Sequence, residues 1–278
     1  MLGKLMKFEW KEMSRVLWWI LGGMLLMTLL GIIGFSIPLG VKTQTGSADN
    51  LPSAFLTLSM VSSAILYVIM LMAVSYGVLI YFGWRFYRKM YTDEGYLTLT
   101  FPVGHHQLLL SKILVSAIMY FIIMVFLVVS ILVLTITTLQ LAFGSAMVTR
   151  FLSVSWQSFC ALIRGEVEPL ILHMFVAAVF LFVVSPFTNI TILFGSLTIG
   201  QLASKHRGKL GIIAYIGILM GMSVVTQLVS FVMLTQLADH AAQSYVMSYD
   251  FSIGFNLAGA CLLYFVMYRI ISRKLDLH

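Results

Sequence analysis

Charge is what this sequence has least of. In 278 residues there are 17 Lys and Arg and 10 Asp and Glu, a charged share of 10%. A soluble domain carries about 25%, so a large water-soluble core protein is excluded. Cysteine is equally scarce. Cys160 and Cys261 stand far apart, which leaves no disulfide framework and no CxxC metal site. Short motifs that hold reactive groups are also missing. There is no GxxxxGK[ST] phosphate loop, no HExxH and no GxSxG elbow. His105 and His106 are adjacent, about 100° apart on a helix, and so unsuited to chelating one metal together. The chain therefore has no recognisable means of binding ATP, no catalytic constellation and no cofactor site of its own.

What is present is apolar length. The hydrophobic share is 60% and the mean hydropathy +1.01. A bilayer crossing takes roughly 20 apolar residues, and six runs meet that need: 16–38, 58–83, 107–138, 169–204, 210–236 and 251–271. The fold class expected is all-α, a single membrane domain of six spans over residues 1–278. The first run is read as a retained span, because Glu9 and Glu12 precede it and no small-x-small cleavage site follows.

Lys and Arg orient the spans. With the N-terminus inside, only Lys42, Arg150 and Arg164 fall outside, and the remaining fourteen fall inside. The acidic residues divide evenly, so the bias lies in the cations alone, as the positive-inside rule requires. Both termini are placed in the cytoplasm of a plasma-membrane protein. The clusters set orientation; they are not a nucleic-acid signature. The run 169–204 is the hard case. It is long enough for about 54 Å of helix, and its only titratable side chain is His173. A split at Pro186–Asn189 would send Lys205–Lys209 and Arg269–Lys274 outward, so one helix kinked near Pro186 is expected.

Two segments are expected at interfaces. Residues 2–15 set Leu2, Leu5, Met6 and Met13 against Lys4, Lys7, Lys11 and Arg15, the pattern of a basic helix on the inner leaflet. Within 139–168, Val148, Phe151, Leu152, Trp156, Phe159 and Ile163 recur at near-helical steps. This predicts a short helix over 146–164 on the outer surface, or else a loop packed between spans. Within the spans, Lys112 is read as snorkelling to the headgroups and His173 as a packed or interfacial side chain. No carboxylate relay of the kind that powers ion coupling is visible.

The segment 84–106, between the second and third spans, is the most distinctive. Thr92 can cap a helix of roughly 93–99 whose first turn holds Asp93 and Glu94, and Pro102 ends it. Two turns are unstable alone. Tyr96, Leu97 and Leu99 supply an apolar surface, with Arg85, Arg88 and Lys89 beside it. Either a partner protein or the inner leaflet could receive it.

The order Glu94, Gly95, Leu97, Leu99, Pro102, Val103, Leu108, Leu109, Lys112 resembles the loop between spans two and three of ABC-2 type transporter permeases. Leu2 to Arg15 resembles that family's interfacial elbow helix. Ser196 to Lys209 resembles the end of its fourth span in Gram-positive permeases. The resemblance implies an exporter subunit that pairs with a second copy of itself and with two cytoplasmic ATPase subunits, which hold the ATP and Mg. Arg88, Asp93, Glu94, Tyr96 and Leu97 would couple to the ATPase, with a second contact through Lys7, Glu9 and Lys11. Tyr96 departs from the Thr common at that position. Gly217 and Gly221 form a GxxxG pair suited to helix packing, within the chain or between copies. The cargo implied is an amphipathic or hydrophobic molecule, a peptide first and a lipid or drug second. A membrane docking or regulatory protein that transports nothing is the alternative.

Overall fold

A computed structural model describes residues 2–44, 53–92, 104–202, 207–236 and 241–273. Among them there are helices and connecting turns and no strand. The helices are α1 (Leu2–Gln44), α2 (Ser53–Tyr91), α3 (His105–Phe143), α4 (Ser145–Arg164), α5 (Pro169–Gly200), α6 (Arg207–Gln236) and α7 (Ala241–Arg273). All seven are long and apolar enough to cross a membrane, so the chain is read as a multi-pass membrane protein.

Each of the six predicted runs falls on a separate helix, most helices extending beyond the predicted limits. The fourth, expected over 169–204, instead ends at Gly200 in a turn at 201–202, and residues 203 and 204 lie outside the described residues. The expected boundary between an interfacial helix at 2–15 and a span at 16–38 leaves no break, since α1 runs unbroken through both. No proline or glycine stands between Met6 and Leu21 to interrupt the backbone ladder. The run from Pro169 is likewise one helix, not two, and it continues past Pro186. Proline at 186 deprives the Phe182 carbonyl of its usual N–H partner. The Ser185 hydroxyl donates to that carbonyl instead, at 3.4 Å, a substitution that membrane helices use to tolerate proline.

The chain forms two compact units. The first comprises Met1–Lys11, Leu79–Phe121 and Gly165–His278. Its centre is the second half of α5, where every residue from Ile190 to Thr198 is buried. The first half of the same helix instead exposes Ile171, Val176, Val179 and Phe180. Against the buried half stand the end of α2, α6 and α7. The Phe86 and Phe194 rings stack at 4.0 Å, and the Tyr91 hydroxyl donates to Thr198 Oγ1 at 2.7 Å. A Cβ on Gly195 would lie 3.1 Å from Leu263 of α7, and one on Gly211 of α6 would lie 3.2 Å from the Leu197 backbone. Lipid is as apolar as a leucine, so close backbone approach and hydrogen bonds, not water exclusion, hold such helices together.

The second unit comprises Glu12–Val78 and Ile122–Arg164. Tyr67 of α2 and Ser130 of α3 share a buried hydrogen bond of 2.6 Å. Gly31 of α1 gives room to the Leu134 and Tyr67 side chains. Gly144, at φ +83°, joins α3 to α4, and Gly165, at φ +70°, ends α4. Both angles lie where a Cβ is strained. The helix expected over 146–164 is thus α4, not a loop. It is the most amphipathic of the seven and has no buried residue.

Candidate functional site

The first unit contains one ion cluster that draws three helices together. Glu9 sits on α1. Arg85 and Lys89, four residues apart, share one face of α2. Lys112 stands two turns into α3. The Glu9 carboxylate uses both oxygens. Oε1 accepts from Lys112 Nζ at 2.9 Å, and Oε2 accepts from Arg85 Nη2 at 3.0 Å and Lys89 Nζ at 3.4 Å.

The cluster is largely withdrawn from solvent. Side-chain exposure is 7% for Lys112, 10% for Arg85, 16% for Glu9 and 19% for Lys89. Phe82, Phe86 and Phe194 wall it on the apolar side. Removing charges from water is expensive, and only a paired, hydrogen-bonded arrangement offsets the cost. The pairing therefore fixes where the three helix ends stand relative to Glu9.

Lys112, expected to reach for the headgroups, is buried and sets its ammonium 2.9 Å from the Glu9 carboxylate, a charge-assisted hydrogen bond. Glu9, expected at an ATPase contact, has its carboxylate engaged inside the unit. Lys7 and Lys11, the other two residues of that expected contact, are exposed on α1.

Arg88 is exposed at the end of α2, with its guanidinium 5.6 Å from the centre of the Trp84 ring. The Thr92 hydroxyl, expected to cap a following helix, donates to the Arg88 carbonyl. Asp93, Glu94, Tyr96 and Leu97, with the short helix expected at 93–99, lie outside the described residues. What the structure places is both ends of the segment that holds them: α2 up to Tyr91, pinned through Arg85 and Lys89, and α3 from His105, pinned through Lys112. Gly217 and Gly221 are in open space, since a Cβ on either would meet nothing within 4 Å. Packing within the chain uses Gly195 and Gly211 instead.

Two further polar contacts lie in the same unit. The His106 Nδ1 and the Tyr264 hydroxyl are 2.8 Å apart. His173 Nε2 meets the Asp250 carboxylate at 3.1 Å, both side chains being about half exposed. Among the described residues no three His, Cys, Asp or Glu side chains gather as a metal site.

One signal for the Glu9 cluster was available in the sequence: two cations spaced i, i+4 near the end of one apolar run and a lysine inside the start of the next, with an acid in the basic N-terminal helix. Which acid they share is a tertiary fact. No family model, no curated protein and no solved structure matches this chain.

Proposed function

We propose that this chain is the permease subunit of an ATP-driven exporter of the ABC-2 type. In this assignment it works as a pair, and two cytoplasmic ATPase subunits bind the short helix expected at 93–99 within the segment 84–106. Six helices span the plasma membrane with both termini inside, and α4 lies on the outer surface. The cargo is an amphipathic or hydrophobic molecule, a peptide by preference. The ATPase supplies ATP and Mg.

The observation that carries the proposal is the Glu9 cluster. A loop that transmits force must be held at both ends, or the push is lost in bending. Arg85 and Lys89 precede the segment, Lys112 follows it, and all three converge on one carboxylate of α1. Displacement of the segment is thereby passed to α1, α2 and α3 together. Coupling of this sort needs an element with two arrangements that both sites bias, and a set of paired charges at helix ends can re-form in a second register.

The test is co-purification from the native membrane. The wild-type chain is expected to bring down an ATPase, and Glu94→Lys combined with Leu97→Asp is expected to lose it. Retention of the ATPase by that double variant would overturn the coupling assignment. An ATPase whose hydrolysis no amphipathic peptide stimulates would favour docking without transport.

A further inference from the structure

A groove of about 230 Å³ opens between α5 and α7, wholly inside the first unit. Its position is unusual. Ser185 stands half-way along α5, and Asn256 about half-way along α7. If these helices span the membrane, the groove lies near the bilayer midplane. Five of its eight lining side chains are nonetheless hydrogen-bonding: Ser185, Thr188, Asn189, Ser252 and Asn256. None of the eight is ionisable. At membrane depth, polar groups are costly unless they meet a partner.

The directions of the existing bonds say what that partner must offer. The Ser185 hydroxyl has donated its proton to the Phe182 carbonyl, and Thr188 has donated to the Ser185 carbonyl. The Asn256 Nδ2 donates to the Ser252 carbonyl at 2.7 Å and lies 3.4 Å from Ser252 Oγ. What Ser185, Thr188 and Asn256 have left to present is lone pairs, on two hydroxyl oxygens and the Asn256 Oδ1, while the Ser252 hydroxyl accepts from Asn256 and keeps its own proton. The Asn189 amide has no hydrogen bond to any described residue. The groove therefore offers neutral acceptors on Ser185, Thr188 and Asn256 and neutral donors on Ser252 and Asn189, the two faces that a secondary amide complements. A bare cation does not suit it. The volume is several times that of a dehydrated ion, and no carboxylate is present to balance the charge.

We propose that this groove is an intramembrane binding site for uncharged apolar molecules that carry secondary-amide N–H groups. The N–H bonds meet the Ser185, Thr188 and Asn256 oxygens, Asn189 pairs with the amide carbonyl, and the aliphatic walls take the flanking side chains. The proposal goes beyond the transport assignment and touches it at one point, since an occupant of this kind is a candidate cargo. Binding is read with no ATPase present, so failure of export and failure of binding are distinguishable results.

The experiment uses the full chain in lipid nanodiscs. The probe is an N-acyl hydrophobic dipeptide ester bearing a diazirine. Its control is the matched analogue in which the amide N–H groups are replaced by ester oxygens. Photolabel is expected on 181–189 and 252–256, with half-saturation shifted weaker for the ester analogue by roughly five- to tenfold for each N–H hydrogen bond lost. Asn256→Leu is expected to weaken the amide probe by a similar factor and leave the ester analogue unmoved, whereas Asn189→Leu is expected to weaken both, since the ester keeps the carbonyl that Asn189 meets. Should a variant fail to fold, the two probes compared on the wild-type chain still decide. Equal half-saturation for amide and ester overturns the proposal. So does an absence of label on both helices, including the case in which cross-linking shows a second copy covering the groove.

Discussion

Glu9 is the residue on which most depends. One carboxylate serves three cations, so its loss and the loss of a partner are not equivalent. Glu9→Gln leaves the Lys112 ammonium buried with no carboxylate within reach among the described residues. Breaking a buried pair in this way costs about 3–5 kcal/mol. Lys112→Met removes a charge and a desolvation cost together and leaves Glu9 to Arg85 and Lys89. It is expected to cost no more than about 1 kcal/mol. Unfolding of the purified protein in mixed detergent micelles measures both, and the double variant is expected to be more stable than Glu9→Gln alone. If Glu9→Gln proves no more damaging than Lys112→Met, the cluster does not hold the helix ends. The sequence could not reveal this arrangement, because the partners lie 76 to 103 positions from Glu9. An acid in a basic helix reads as one more surface charge until the fold brings the cations to it.

Helices are where the sequence is most legible. Apolar length and the punctuation of polar segments place all six predicted runs on helices, and the amphipathic spacing of Val148 to Ile163 predicts α4. What sequence alone could not supply is which glycines face a neighbour. Gly217 and Gly221 have the favoured spacing and meet nothing within 4 Å, whereas Gly211 has no such motif and lies against the Leu197 backbone. Spacing shows which residues share a helix face; it does not show what stands opposite. Gly211→Leu is accordingly expected to force α6 from α5 and to destabilise by about 1–3 kcal/mol. Gly217→Leu is expected to leave the stability of the single chain within about 0.5 kcal/mol. If Gly217→Leu instead abolishes pairing of two copies in a cross-linking assay, that face is the dimer contact.

For the molecule as a whole, the open number is the count of crossings, and α4 sets it. Its twenty residues reach about 30 Å, enough to span. Yet they carry Arg150, Arg164 and a polar face, and none of them is buried. With α4 on the surface there are six crossings, and the two termini share a side; with α4 across, there are seven, and they do not. In a chain with Cys160→Ser and Cys261→Ser, single cysteines introduced at Gly3 and at Ser272 are expected to show the same protection from a membrane-impermeant thiol reagent in sealed cells. Opposite behaviour of the two would place α4 in the bilayer and remove the topology on which the transport assignment stands.

The joint at Gly144 has a mechanical consequence. A single residue separates α3 from α4, so the two helices are geared to each other like shafts meeting at a short coupling. Adding one residue there would roll α4 by about 100° about its own axis. Trp156 and Phe159 would turn away from their present bearing, and Arg150 would swing toward it. The bearing of α4 is thus set from within α3, by the residue count that ends at Phe143.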